Sequence, residues 1–303
     1  MVSGCQPGAP IHPQHQALLM RFSTVEHEEN FPVASLLCPP ALRPAVLAIY
    51  HFARTADDLA DEGDATPETR LADLSAYRAD LLASADRQAP SARWPGVFAP
   101  LAQVLLRHQL PLALLLDLLD AFEQDVRYTG QQRRYASQAE LLDYCRRSAN
   151  PVGRLLLHLY SVHDDTAQTQ SDQICTALQL INFWQDVSVD VPRQRWYIPQ
   201  DSMRQFSVSE DDFSPTSTSQ NASLLIAHQA DFARAMMQKG ACLALTLPGR
   251  VGWELRLVVQ GGMRILDKIE ANGCQPWRQR VRLGAGDVVP LLWRARLMGW
   301  CSK

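Results

Sequence analysis

The sequence predicts an all-α fold in a single domain. Apolar residues recur at three- and four-residue spacing through most of the chain, and no segment alternates polar and apolar residues as a half-buried strand would. No tandem repeat or hinge-like linker divides the 303 residues, and a hydrophobic content of 47% is enough for one sizeable core. We expect one helical domain over residues 16–303, packed around a central cavity and preceded by a loose arm at residues 1–15.

The composition of the chain narrows the function classes. A formal net charge of −3 gives no electrostatic case for nucleic acid binding. The seven cysteines form no C-x-x-C pair, which favours reduced thiols in a cytoplasmic protein over a disulfide framework. No apolar run is long enough to span a membrane, and the N-terminus lacks the features of a signal peptide.

Capping and helix-breaking residues predict where the helices of the first half begin and end. Thr66 and Pro67 are an N-cap and a first helical residue, and Ser137 begins a capping box. The predicted segments are a short helix at 16–25, an extended or turning stretch at 29–35, a long helix from Pro39–Pro40 to Gly63, and helices at 66–85, 96–109, 111–127 and 137–147.

The second half is predicted in the same way. Asn150–Pro151 breaks the chain, and a loop follows at residues 193–201. The predicted helices are 152–163, 171–189, 220–246, 250–271 and a last one that Asp287 caps and that runs to Trp300. This last helix, which contains LLWRARLMGW, could touch a membrane surface or pack on the domain.

Residues 48–63, AIYHFARTADDLADEG, carry polar groups at a spacing that usually faces a core. Tyr50, Arg54, Asp57 and Asp61 are four, three and four residues apart, so they share one face of a helix. Two carboxylates on one inward face repel each other unless a positive charge lies between them. A hard divalent cation that bridges a diphosphate would supply that charge.

Residues 179–190, QLINFWQDVSVD, form a second polar stripe. Gln179, Asn182, Asp186 and Asp190 are three, four and four residues apart, and apolar residues surround them. A single D-x-x-x-D pattern is common on solvated helices, whereas two such stripes on apolar helices indicate a cavity with metal ligands on opposite walls.

These groups suit the cleavage of a prenyl diphosphate. Mg²⁺ held by carboxylates would neutralise the leaving diphosphate, and arginine and amide side chains would bind its remaining oxygens. Aromatic side chains would keep water away from the cation that is left behind. The candidate aromatic residues are Tyr50, Phe52, Tyr144, Phe183 and Trp184.

With these motifs the chain resembles the squalene/phytoene synthase family, whose members carry two Asp-rich segments on facing helices. The resemblance extends over about residues 26–283 and includes YCRRSANPVG at 144–153 and the RWYIP loop at 195–199. It implies an isoprenoid-synthase-type helical bundle. We interpret the basic residues Arg280 and Arg282 as solvated, although they could reach a phosphate.

The resemblance also implies roles for individual residues. It implies Mg²⁺ ligands at Asp57, Asp61, Asn182 and Asp186, with Asp190 as a further ligand. It implies substrate contacts at Tyr50, Arg54, Gln179, Asn182, Arg195 and Tyr197. The catalytic residues that we expect are Asp57, Asp61, Asp186 and Tyr144.

Members of this family join two prenyl diphosphates through a cyclopropyl diphosphate but divide the steps differently. Condensing members carry a stretch of the kind SFYYAF before the first Asp helix, whereas residues 29–35 here read ENFPVAS. This variant resembles the hydroxysqualene synthase branch of bacterial hopanoid pathways. The resemblance implies a Mg²⁺-dependent carbon–oxygen lyase that ionises presqualene diphosphate, rearranges the cation and captures water. Gly261–Gly262 also stands near where condensing members often carry a tyrosine.

Three other functions compete with this interpretation. A condensing transferase that makes presqualene diphosphate or phytoene would share the fold and the metal site. A terpene cyclase shares the spacing of its second metal motif, although Asp186 stands where that motif has serine. A non-catalytic helical subunit that binds partners would predict disrupted Asp segments, and these are intact.

Overall fold

The computed structural model of the chain describes residues 38–298, which belong to one compact unit. The predicted arm at residues 1–15, the helix at 16–25, the stretch at 29–35 and Trp300 lie outside the described residues.

Across residues 38–298 the regular structure is entirely helical, as predicted. The α-helices are α1 Arg43–Asp61, α2 Pro67–Ala85, α3 Pro95–His108, α4 Leu112–Gly130, α5 Gln138–Ser148, α6 Asn150–Leu159, α7 Asp165–Gln185, α8 Val187–Asp190, α9 Gln200–Gln205, α10 Gln220–Gly240, α11 Leu243–Thr246, α12 Gly249–Ala271 and α13 Val288–Leu297. Short 3₁₀ turns lie at Val191–Arg193, Asp211–Phe213 and Ala285–Asp287.

Side-chain caps explain several helix starts. The Thr66 hydroxyl accepts a hydrogen bond from the backbone N–H of Thr69 at 3.3 Å, and Ser137 accepts one from Glu140 at 3.3 Å. The return bond of the predicted capping box is displaced by one residue, because Glu140 accepts from the backbone N–H of Ala136 at 2.6 Å. The sequence therefore located these starts, with this one change in detail.

Buried apolar residues form two clusters, and each Asp segment lies beside a different one. The first cluster holds the inner face of α1, where Phe52 stacks with Tyr77 at 5.3 Å between ring centroids. The second surrounds α7 and contains Phe183 and Trp184. Helix α4 contributes residues to both clusters. Helix α4 therefore connects the two clusters.

Helix α7 differs most from the prediction. It begins at Asp165, six residues before the predicted start, because Asp164 caps it by accepting from the backbone N–H of Ala167 at 2.7 Å. It ends at Gln185, and Asp186 separates it from the short helix α8. The second stripe therefore does not lie on one continuous helix.

Other boundaries also differ from the prediction. The helix predicted at 152–163 is Asn150–Leu159, and α9 lies partly in the predicted loop. Asp287 stands before the last helix but does not cap it, because its carboxylate accepts from Arg264 at 2.7 Å and from Lys268 at 2.5 Å. These two bonds tie the start of α13 to α12. Against the effect of burial, the bonds from Lys268, the Gly284 backbone N–H and Arg264 hold the pKa of Asp287 well below its ordinary value.

Two further expectations concern the described residues as a whole. All five cysteines in this part of the chain are free thiols. None of the helices within residues 38–298 has the length and apolar character needed to cross a membrane.

Candidate active site

Arg54 organises the first Asp segment on α1. Its guanidinium contacts Asp57 at 3.0 Å, Asp58 at 2.5 Å and Glu62 at 2.7 Å. All three acids follow Arg54 in the same segment, so one cation offsets part of the negative charge of a local acidic cluster. The residue predicted to bind substrate is thus present at the site, and it holds carboxylates in place.

Arg195 connects the first segment to the chain that follows the second one. Its Nη1 lies 2.8 Å from Oδ2 of Asp61, and both side chains are largely buried. The charge of Asp190 also acts on Arg195, and the charge of Arg195 partly offsets the burial that raises the pKa of Asp57. One guanidinium therefore lies within electrostatic reach of both segments, which supports the prediction that they face each other.

Arg280 pairs with the second Asp segment. It forms a two-point contact with Asp186, at 2.5 Å from Nε and 3.0 Å from Nη2. The Gln185 side chain donates to the carbonyl of Val281 at 2.8 Å and so fixes the loop that carries Arg280. Our interpretation of Arg280 as a solvated residue is wrong, since only 18% of its side chain is exposed.

The other residues of the second stripe differ in burial. Asp190 and Gln179 are half-buried, whereas Asn182 is exposed. The backbone N–H of Asp186 still donates to the carbonyl of Asn182 at 2.9 Å, so helical bonding continues up to the interruption. Asn182 and Asp186 thus remain one turn apart, as the spacing predicted.

Crowding of carboxylates changes their proton affinity. Burial, followed by the charge of Asp61, raises the pKa of Asp57 to about 7. Burial, followed by the charge of Asp186, raises the pKa of Asp190 to about 7. Each segment therefore contains a carboxylate that a nearby cation would stabilise in its ionised form.

These donors suit Mg²⁺ that shares its ligands with a diphosphate. No group of three acidic, histidine or cysteine side chains within residues 38–298 is arranged to hold a metal ion by itself. Mg²⁺ in phosphate-transfer sites characteristically uses one or two carboxylates and takes its other ligands from water and phosphate. Two carboxylates from each segment match that donor set, and the crowding described above favours a cation between them.

Asp125 on α4 belongs to the site, although no sequence motif predicted it. The Tyr144 hydroxyl donates a hydrogen bond to Asp125, and Arg195, Asp57 and Asp190 all act on its charge. Burial raises the pKa of Asp125 to about 7. The only signal in the sequence is that Asp125 falls off the densest apolar stripe of its helix.

Aromatic rings border this acidic centre. The rings of Phe183 and Tyr197 are parallel within 9° and 3.8 Å apart between centroids. Tyr144 lies 6.2 Å from Phe183 and 6.1 Å from Tyr197, and Tyr135 lies 5.6 Å from Tyr144. We call these four residues, whose rings contact one another beside the acidic centre, the aromatic wall. Tyr135 was missed because it precedes a helix in a short loop.

The other aromatic candidates lie elsewhere. Phe52 and Trp184 have no exposed surface and belong to the two apolar clusters. Tyr50 is half-buried beside His51, with ring centroids 5.6 Å apart. Because neither side chain reaches a surface, we interpret Phe52 and Trp184 as packing residues and not as residues that line a pocket.

The sequence is similar to one protein family and to several of its members. The sequence profile of the squalene/phytoene synthase family matches residues 24–287. The hydroxysqualene synthase of Sinorhizobium fredii is 32% identical over 267 residues, which are 87% of this chain and 86% of its own. The phytoene synthase of Thermus thermophilus is 30% identical over 290 residues, 95% of this chain and 94% of its own.

A solved structure gives the same result for the fold. Squalene synthase HpnC from Alicyclobacillus acidocaldarius superimposes with a TM-score of 0.74 at 34% sequence identity. The superposition covers 88% of this chain and 98% of that protein. The helical arrangement around the two Asp segments is therefore of the isoprenoid-synthase type.

Proposed function

Because the chain belongs to the squalene/phytoene synthase family, we propose that it converts presqualene diphosphate to hydroxysqualene and diphosphate with the help of Mg²⁺. The family and the names of its relatives support the broader class, which is an enzyme of isoprenoid biosynthesis that acts on prenyl diphosphates. The observation that carries the proposed chemistry is the position of Arg195, which contacts Asp61 while the next residues bring Tyr197 onto Phe183. A diphosphate site and an aromatic wall are thus built side by side.

The first step is binding of the diphosphate, and three arginines would carry it out. Arg54, Arg195 and Arg280 each hold a carboxylate of the Asp segments, so each lies where a diphosphate would meet those segments. In the complex they would exchange a carboxylate oxygen for a phosphate oxygen. Mg²⁺ held by Asp57, Asp61, Asn182, Asp186 and Asp190 would supply positive charge to the leaving group.

The aromatic wall provides the second step. Loss of diphosphate breaks a C–O bond and leaves a cyclopropylcarbinyl cation, which rearranges. The faces of Phe183 and Tyr197 would stabilise this cation and exclude bulk water until rearrangement is complete. Asp125 fixes the Tyr144 hydroxyl beside these rings, and Tyr144 is our candidate for positioning the water.

Water capture completes the reaction. One water oxygen forms the new C–O bond, and its extra proton is released, so the products are hydroxysqualene, diphosphate and a proton. The step transfers no electrons, and nicotinamide is therefore not required. We assign no part in water capture to Asn150, because its side-chain oxygen accepts a hydrogen bond from Thr176 at 2.8 Å.

A condensing transferase is the second candidate, and the match to a phytoene synthase over 95% of the chain supports it. The sequence at residues 29–35 and the relatives named hydroxysqualene synthase favour the lyase. The close packing around Gly262, near where condensing members often carry a tyrosine, also favours the lyase. A Cβ at this position would lie 2.9 Å from the Met237 side chain, 3.1 Å from Leu178 and 3.3 Å from Ile181, so a tyrosine here would require these side chains to repack. A non-catalytic subunit is disfavoured, because both Asp segments are intact.

Separate incubations with presqualene diphosphate and with farnesyl diphosphate, each with Mg²⁺ and without NADPH, test the proposal. We expect hydroxysqualene from presqualene diphosphate and no product from farnesyl diphosphate, as identified by mass spectrometry. Consumption of farnesyl diphosphate with accumulation of the cyclopropyl intermediate would identify a condensing enzyme instead. The proposed location is the cytoplasm.

A further inference from the structure

The last described helix, α13, carries an apolar face that no other part of residues 38–298 covers. Val289 is 74% exposed and Trp293 is 63% exposed, and Val288 and Leu292 are about half exposed beside them. Val289 and Trp293 are four residues apart, so they lie on the same side of the helix. The opposite side, which includes the fully buried Ala295, packs onto the domain.

Polar contacts fix this orientation. At the start of α13, Asp287 is bound by Arg264 and Lys268 of α12. Farther along, Arg294 contacts Asp267 of α12 at 2.6 Å. Because the helix is tied to α12 at both places, its apolar side is held outward by contacts on its inner side.

The charges of α13 select the kind of surface that it fits. The helix contains two arginines and no acidic residue, and Arg296 forms no ion pair within residues 38–298. Arg296 follows Trp293 by three residues and lies on the same outward side. An outward side with valine, leucine and tryptophan next to an unpaired arginine matches the boundary between lipid headgroups and acyl chains.

An apolar groove lies beside the same helix. It has a volume of about 360 Å³. Its lining residues include Met237, Leu245, Val259, Met263 and Leu297, so one wall belongs to α13 itself. A groove of this kind accepts part of an acyl or prenyl chain.

From these observations we propose that α13 docks the protein on an anionic lipid surface, with Val289 and Trp293 inserted at the interface and Arg296 facing the headgroups. A second copy of the chain is a poorer occupant, because a twofold contact through this face would bring two Arg296 side chains together without an acidic partner on the helix. The inference is independent of the reaction proposed above, since binding to lipid requires no substrate.

Co-sedimentation of the full chain with vesicles tests the inference. Vesicles of phosphatidylcholine with 30% phosphatidylglycerol are compared with vesicles of phosphatidylcholine alone at about 0.1 M salt. We expect the wild type to bind the anionic vesicles and the double variant Val289→Ser/Trp293→Ser to lose about tenfold in partitioning. Arg296→Glu should lose severalfold at low salt and less at high salt.

The matched control is Leu106→Ser, since Leu106 is 60% exposed but lies on α3. It should bind as the wild type does. Brominated lipids give a second readout, because they should quench the wild type more than Trp293→Phe. The inference is overturned if the wild type does not bind, or if the double variant and Leu106→Ser bind equally. It is also overturned if the double variant instead dissociates a dimer in sedimentation analysis.

Discussion

Arg195 and Asp61 are 134 positions apart in the sequence, and their side chains meet at 2.8 Å. This ion pair joins the first Asp segment to the loop that follows the second. In the proposed substrate complex, the positive charge of Arg195 would face the diphosphate.

Arg195→Gln should lower activity strongly and destabilise the metal-free protein by about 1–2 kcal/mol, because Asp61 loses its largely buried partner. Mg²⁺ together with diphosphate should restore part of the lost thermal stability by replacing the positive charge. Thermal unfolding with and without these ligands measures both effects. Arg146→Gln is the control, since Arg146 pairs with Asp143 on an exposed surface and its loss should change little.

Asp61→Ala or Asp186→Ala should remove most activity, by a factor of about 10² or more, while the protein remains folded. Each substitution removes a proposed metal ligand but also relieves repulsion from a neighbouring carboxylate. Turnover at saturating Mg²⁺, together with circular dichroism, separates loss of function from loss of fold. Asp64→Asn, at an exposed position after α1, should retain activity. Near-wild-type turnover of both alanine variants would refute the assigned roles.

Asp125 should make the metal-free protein less stable as the pH rises. Its folded-state pKa of about 7 lies above the ordinary value near 4, so the folded protein binds the extra proton between those values. Stability therefore falls as the pH rises from about 4 to 7 and changes little above that range. Asp125→Asn keeps an acceptor for Tyr144 and should shrink the difference in melting temperature between pH 5 and pH 8 by a few degrees. Asp117→Asn, on the same helix, is the control. If both variants show the same difference in melting temperature between pH 5 and pH 8 as the wild type, Asp125 is not the source of the pH dependence.

The stack of Phe183 on Tyr197 should control the fate of the cation. Tyr197→Phe keeps the 3.8 Å ring contact and should keep most activity and the same product. Phe183→Leu loses the aromatic face, so more of the cation should be captured by water before it rearranges. Product ratios from gas chromatography with mass spectrometry measure this. Equal ratios in the two variants would show that the stack is not in contact with the reacting carbons.

The sequence predicted the two Asp segments because their residues are local neighbours on helices. The spacing of Asp57 and Asp61, and of Asn182 and Asp186, is enough to place each pair on one face. The resemblance over residues 26–283 agrees closely with the family match at 24–287. The helical fold and its family could therefore be predicted from the sequence.

Contacts across long stretches of chain could not be predicted. Arg280 reaches Asp186 only because a loop is fastened to Gln185, 96 residues from its partner Val281. Asp125 enters the site through Tyr144 and Arg195, which lie on other elements. The helix that carries the second stripe ends at Gln185, but no glycine or proline stands at Asp186 to signal this end. The prediction from helical periodicity therefore continued the helix beyond Asp186.

The most direct test of the account is the reaction of presqualene diphosphate with this protein and Mg²⁺ in H₂¹⁸O. The proposed mechanism breaks the C–O bond and captures solvent water, so hydroxysqualene should carry one ¹⁸O and the released diphosphate none. Mass spectrometry of both products reads this out. Presqualene alcohol without label, together with labelled diphosphate, would mean that the P–O bond is broken and would contradict the central claim.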